Sequence, residues 1–161
     1  MRGLAGLAAC ALLATLGGCQ GSAPGNDSTA SGEPARTEVT IATAAGPAHR
    51  FNVDVAASEA QQQQGLMYRT AIPADGGMLF APYPPGGGPP KAASFWMKNT
   101  PSPLDILFIR PDGTIATIAE NTVPFSETPV ASGEPVSAVL ELAGGRSAEL
   151  GIAAGDKVTW K

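Results

Sequence analysis

Three consecutive positions, Lys98, Asn99 and Thr100, carry an ammonium, an amide and a hydroxyl directly after Phe95, Trp96 and Met97. A flat apolar wall beside one charge and a few directional hydrogen-bonding groups is the mixture that small-ligand pockets use. Asp105 follows inside the apolar run Leu-Asp-Ile-Leu-Phe-Ile, where a carboxyl group is costly unless it is paired. Lys98 and Arg69 are its candidate partners. Arg69 itself suits either an anion clamp or a loop brace that donates to carbonyls. Glu141, within Val-Leu-Glu-Leu, raises the same question as Asp105. Each acid reads either as a buried structural pair or as a poised acid or base. If the two faced one cavity they would support carboxylate chemistry.

Other chemistries find little support. The one histidine, His49, lies in an early turn, away from these phrases, so histidine triads and histidine-rich metal sites have no basis. No Gly-x-Ser-x-Gly elbow, phosphate loop or dinucleotide fingerprint occurs, and no cofactor is expected. Met67, Met78 and Met97 offer soft thioethers of the kind that select Cu(I). Each neighbours Leu, Phe or Trp, and core packing is the reading taken for all three.

The elements that must position these residues are mostly strands. Val-Thr-Ile-Ala-Thr-Ala-Ala and Arg-Phe-Asn-Val-Asp-Val-Ala read as a strand pair joined near Gly46-Pro47. Ser58 with Gln61 three positions on predicts a capping box and a helix over about 59–66. A short strand is expected at 78–80, then a proline- and glycine-rich loop over 82–90. Alternation over 95–98 places Phe95 and Met97 on one strand face and Trp96 and Lys98 on the other, with Pro101 and Pro103 ending the strand. Pro111-Asp112-Gly113 joins two strands in the clearest hairpin of the chain. Val-Leu-Glu-Leu is a strand, Gly-Gly-Arg-Ser-Ala-Glu-Leu holds a short helix, and Asp-Lys-Val-Thr-Trp is the closing strand. No β-α alternation appears. A mainly β domain is expected, a compact sandwich or barrel with one or two short helices.

The ends set the expected location. Arg2 precedes an apolar segment over 4–16, too short to span a bilayer, which reads as a secretory signal peptide over 1–18. Leu16-Gly-Gly-Cys19 is similar to the bacterial lipobox, which implies cleavage before Cys19 and lipidation of its thiol. Cys10 would leave with the signal peptide, so no thiol chemistry remains for the mature domain. Gln20, rather than Asp, after the lipidated residue favours the outer membrane of a two-membrane bacterium. Residues 19–37 are rich in Ser, Gly, Ala and Pro and read as a lipidated tether, with a single domain over 38–161. The net charge of −4 argues against a nucleic-acid partner and against a second, electrostatic membrane contact.

Gly65-Leu-Met-Tyr-Arg69, Gly77-Met-Leu-Phe80, the phrase from Phe95 to Ile109, Val139-Leu-Glu-Leu-Ala-Gly-Gly145 and Leu150 to Val158 occur in order. Together they resemble the uncharacterised prokaryotic family catalogued as domain of unknown function 192. The resemblance implies a compact β-rich sandwich and brings no established activity. The stretch from Asn121 to Ser137 departs from the family pattern in lacking cysteine and tyrosine.

Three functions are therefore open. The leading expectation is an envelope-anchored module that binds a small ligand or partner through Arg69, Trp96, Lys98, Asn99 and Thr100, with Asp105 in or behind the site. The second is an envelope hydrolase using Asp105 or Glu141. The third is a scaffold whose motif residues are wholly structural.

Overall fold

The computed structural model describes residues 34–44 and 46–161. The expected signal peptide, Cys19 and nearly all of the expected tether lie outside the described residues. The domain is mainly β. β1 (Arg36–Ala42) and β2 (Ala48–Ala56) form an antiparallel pair, and α1 (Glu59–Gln64) follows. β3 (Gly77–Phe80) then runs parallel to β2. After β4 (Lys91–Phe95) come β5 (Leu104–Ile109) and β6 (Ile115–Ala119), the hairpin about Pro111-Asp112-Gly113. β7 (Val130–Val136), β8 (Ala138–Ala143), α2 (Arg146–Leu150) and β9 (Lys157–Trp160) complete the order.

Seven strands make one sheet in the order β6-β5-β8-β3-β2-β1-β9. The sheet curls until its two edges meet at one end. Thr114 bridges Lys157, and the Val158 N–H donates to the Gly113 carbonyl at 2.8 Å. The concave side holds one apolar core, built on Val39, Phe51, Val53, Leu79, Leu107, Leu140 and Val158. The convex side of β5-β8-β3 carries a second core, with Met78, Phe80, Met97, Ile106, Phe108 and Val139. That second core is roofed by α1, by the loops around 66–72 and 96–100, and by the ribbon of β4 and β7. Strands covered on both faces carry near-continuous apolar runs. All six residues of β5 are buried, and so are the first five of β8.

Period-two alternation decides which core each residue meets. On β5, Leu104, Ile106 and Phe108 face the convex core, whereas Leu107 and Ile109 face the concave one. On β8, Val139 faces the convex core and Leu140 and Leu142 the concave one. The register then sorts the two acids. Asp105 stands opposite Leu142, and Glu141 stands opposite Ile106 and, on the other side, Met78. Asp105 and Glu141 therefore occupy opposite faces of the sheet. Gly77 makes the β3–β8 pairing possible. Its φ is +155°, and a Cβ there would lie 2.1 Å from the Glu141 carbonyl oxygen, so no larger residue fits.

Several local expectations differ from the structure. α1 ends at Gln64, two residues early, because Gly65 caps it with φ of 49°. β1 starts at Arg36, inside the expected tether, held by Arg36 Nε donating to Asp54 at 3.0 Å and by Val55 N donating to the Ala35 carbonyl at 2.7 Å. β4 ends at Phe95, not at Lys98. The chain turns at Lys98-Asn99, before either proline, through a bond from Thr100 N to the Met97 carbonyl at 3.0 Å. β7 has no counterpart in the sequence reading. Its Gly133 and Pro135 interrupt the usual strand pattern, and it survives as an edge partner of β4.

Candidate functional site

A cavity of about 630 Å³ opens between α1 and the 96–100 loop. Its position follows from the capping box. Ser58 Oγ accepts from Gln61 N at 3.3 Å, and Gln61 Oε1 accepts from Ser58 N at 3.0 Å, which starts the short helix on time. α1 buries none of its own residues. It is held instead by Gln62, whose Nε2 donates to the carbonyls of Ala56 and Pro82 at 2.9 and 2.8 Å. Two backbone acceptors fix that amide's orientation, and its Oε1 is left buried with no partner.

Aromatic rings make one wall. Phe95 packs edge-on to Phe80 with centroids 5.0 Å apart and lies 6.0 Å from Tyr83. All three line the cavity, with Trp96 at the mouth, 48% exposed. Lys98 places its Nζ over the Trp96 ring, 5.0 Å from the centroid. No ion pair joins Lys98 to a carboxyl among the described residues.

Glu141 belongs to the floor. It is 96% buried, between Met78 and Ile106 on the neighbouring strands. It has no hydrogen-bond or ion-pair partner among the described residues, although it lines the cavity. Burial alone pushes its carboxyl up to about 8. Glu141 is thus a neutral acid at pH 7, able to give one proton or to take up a charge partner.

The loop that lines the cavity at Asn99 is bonded to two others, and all three have unusual backbones. Tyr68, Asn99 and Phe125 have φ values of 65°, 55° and 60°. That left-handed region is costly for a bulky residue and cheaper for Asn. The three loops are laced together. Tyr68 N donates to the Asn99 carbonyl at 2.8 Å, Phe125 N to the Thr100 carbonyl at 3.1 Å, and Asn99 Nδ2 to Tyr68 Oη at 2.9 Å. Tyr68 and Phe125 leave 70% and 63% of their surface exposed.

The expected site residues divide. Trp96, Lys98, Asn99 and Thr100 line this cavity together, and Met67 lines it as well. Thr100 is buried, its Oγ1 donating to the Lys98 carbonyl at 3.2 Å. Arg69 stands elsewhere, in a crevice of about 100 Å³, 2.6 Å from the buried Asp54. Asp105 pairs with neither Lys98 nor Arg69. It is wholly buried on the concave face. There its Oδ1 accepts from Asn121 N and Gly145 N at 2.7 and 2.8 Å, and its Oδ2 from Ser147 N at 2.7 Å. Those three bonds make it a brace between the loop after β6 and the start of α2, and its place on the opposite face of the sheet keeps it out of the cavity of Glu141. Met78 and Met97 pack in the convex core, where Met97 Sδ accepts from Thr122 Oγ1 at 3.1 Å. His49 sits on β2, paired with Ile41. Gln62, Tyr83 and Phe95 reach the site without having been singled out as site residues. For Gln62 the only sequence signal was a four-glutamine helix beside a proline-rich loop.

The fold and site together define a mainly β domain with a curled sheet, two apolar cores and an acid-floored, aromatic-walled cavity. The chain belongs to the family of domain of unknown function 192, described as an uncharacterised conserved family, whose model matches residues 40–160. A crystal structure of a candidate transcription regulator from Sinorhizobium meliloti 1021 is similar at 44% identity and a TM-score of 0.74, over 80% of this chain and 95% of that one. A protein of unknown function from Novosphingobium aromaticivorans DSM 12444 is similar at 43% identity and a TM-score of 0.72, over 78% and 85% of the two chains. No curated protein matches the chain.

Proposed function

We propose that this protein is a small-ligand-binding module, and that the cavity between α1 and the 96–100 loop is its site. The observation that carries the reading is Glu141. A buried carboxyl with no protein partner is costly to keep. Its retention at the floor of a cavity is explained when a ligand supplies the missing partner. A hydrolase using paired carboxyls is less well supported, since Asp105 faces the other side of the sheet and is fully occupied. A role in transcription, as suggested for the Sinorhizobium relative, finds no help in a net charge of −4.

Thermal-shift screening against metabolite and glycan libraries tests the reading. Ser94→Trp places a large side chain at the lining from an exposed strand position, and Asn99→Gly removes the amide without adding strain at φ of 55°. Compounds that stabilise the wild type are expected to bind Ser94→Trp at least about tenfold more weakly, and Asn99→Gly measurably more weakly. A screen without any stabilising compound, or ligands that bind Ser94→Trp as well as wild type, would place function elsewhere.

The module is further proposed to be exported and lipid-anchored. The support is the apolar segment over 4–16 followed by Leu-Gly-Gly-Cys19. Cys19→Ala is expected to move the protein from the membrane to the soluble fraction of the exporting cell and to abolish fatty-acid labelling. Unchanged membrane association would refute the anchor.

A further inference from the structure

Two groups in the lining residues leave acceptor oxygens without a partner among the described residues, Gln62 and Glu141. Gln62 has spent both N–H bonds of its amide on Ala56 and Pro82, and its Oε1 is buried with nothing to accept from. Glu141 accepts no hydrogen bond and joins no ion pair among the described residues. Its flanking residues on the adjacent strands, Met78 and Ile106, supply neither. Of the two nearby cations, one stands outside the cavity and the other lies over a ring in its lining. Arg69 lies 2.6 Å from Asp54, and the Lys98 ammonium sits over Trp96. The walls add the negative faces of several rings, those of Phe80, Tyr83 and Phe95.

A bound anion would meet an acid at the floor. A polyol would need several donors and acceptors there, whereas the floor offers one carboxyl set among apolar side chains. A cation that carries N–H bonds meets all the conditions. Accordingly, we propose that the cavity takes a ligand bearing a protonated amine, with its ammonium on the Glu141 carboxylate and its apolar body against Phe80, Phe95 and Tyr83. This rests on the reading of the cavity as a ligand site and names the chemistry it selects. Binding transfers the Glu141 proton to solvent and replaces it with the ligand's charge. The other titratable groups lining the cavity are Glu59 on α1, Lys98 on the 96–100 loop and Tyr83, and β3 and β5 present no charged residue beside Glu141. Lys98, over the Trp96 ring in the same lining, disfavours a second positive charge on the same ligand.

Phenethylamine and its neutral counterpart 2-phenylethanol make the test, titrated by calorimetry into wild type and Glu141→Gln. The amine is expected to bind wild type at least about tenfold more tightly than the alcohol at pH 8. Its affinity is expected to rise about tenfold between about pH 6.5 and pH 8, as the carboxyl becomes cheaper to ionise. Buffers of different ionisation enthalpy are expected to show a proton released near neutral pH. Glu141→Gln is expected to lose the preference for the amine over the alcohol and the pH dependence of that preference. Equal affinities for the two probes, a flat pH profile, or an unchanged preference in Glu141→Gln would overturn the amine assignment. If neither probe binds but the library screen yields neutral ligands, the assignment fails and the ligand site stands. If the screen is also empty, both fail.

Discussion

Raising the pH from about 5 to about 8.5 is expected to take about 4 kcal/mol from the stability of the unliganded protein through Glu141 alone. In the unfolded chain Glu141 loses its proton near its ordinary value of 4.5, whereas in the folded protein burial holds it to about 8. Between those values the folded state binds more protons, so each rise in pH favours unfolding. The contribution is complete below the unfolded value and is lost as pH climbs through the folded one. At about 1.4 kcal/mol per tenfold, most of the change falls between about pH 5 and pH 8. For a domain of this size the melting temperature should drop by about 10–20 °C across that range. Glu141→Gln, close in shape and never charged, should melt nearly independently of pH and above wild type at about pH 8.5. Asp112 does not confuse the experiment. Its carboxyl is exposed and held below the usual range by bonds from the backbone and side chain of Thr114, so it titrates below the window and with the opposite sign. Thermal melts at three pH values decide. A wild type without this slope, or an equally steep Glu141→Gln, would defeat the account of the floor acid.

Asp105→Ala should be as damaging as Glu141→Gln is benign. It would leave the N–H groups of Asn121, Gly145 and Ser147 without their acceptor at the end of a packed core. Each such orphan costs about 1–3 kcal/mol, so the variant should lose about 4 kcal/mol or more. Asp105→Asn keeps the shape but points an amide N–H at one of the donors, and should lose about 2 kcal/mol. Urea denaturation measures both. Losses below about 1 kcal/mol would mean that the brace is dispensable. The two acids thus occupy neighbouring strands, and replacing them moves stability in opposite directions.

The sequence displayed both acids as intruders in apolar runs, but not which way they faced. Facing depends on the register between β5 and β8, which are separated by two other strands in the chain. Only that pairing shows Asp105 meeting three donors and Glu141 none. Local signals with their own geometry were legible: the Ser58–Gln61 capping box, the Pro111-Asp112-Gly113 turn, the alternating or β-branched runs of β1 and β2, and the apolar runs of β5 and β8. The tripeptide Lys98-Asn99-Thr100 announced a place where core meets opening. Its turn was misplaced because prolines are conspicuous, whereas a left-handed Asn99 is not. β7 escaped because Gly133 and Pro135 read as loop, and its pairing with β4 is decided by tertiary packing. Tyr68 and Phe125 in left-handed backbone contradict residue preference, so no sequence rule would have put them there.

The order of the sheet also dictates when the molecule can be finished. β1 lies between β2 and β9, and Val39 and Ile41 pair with Trp160 and Val158. The earliest strand therefore waits for the latest one. During synthesis β1 and β2 can join as a hairpin, but β1 keeps a bare edge until residues 157–160 arrive, and Val158 is also a wall of the concave core. Without residues 157–160 the edge of β1 has no partner strand and the concave core lacks Val158. The same four residues thus close two things at once, the exposed edge of β1 and one side of the concave core.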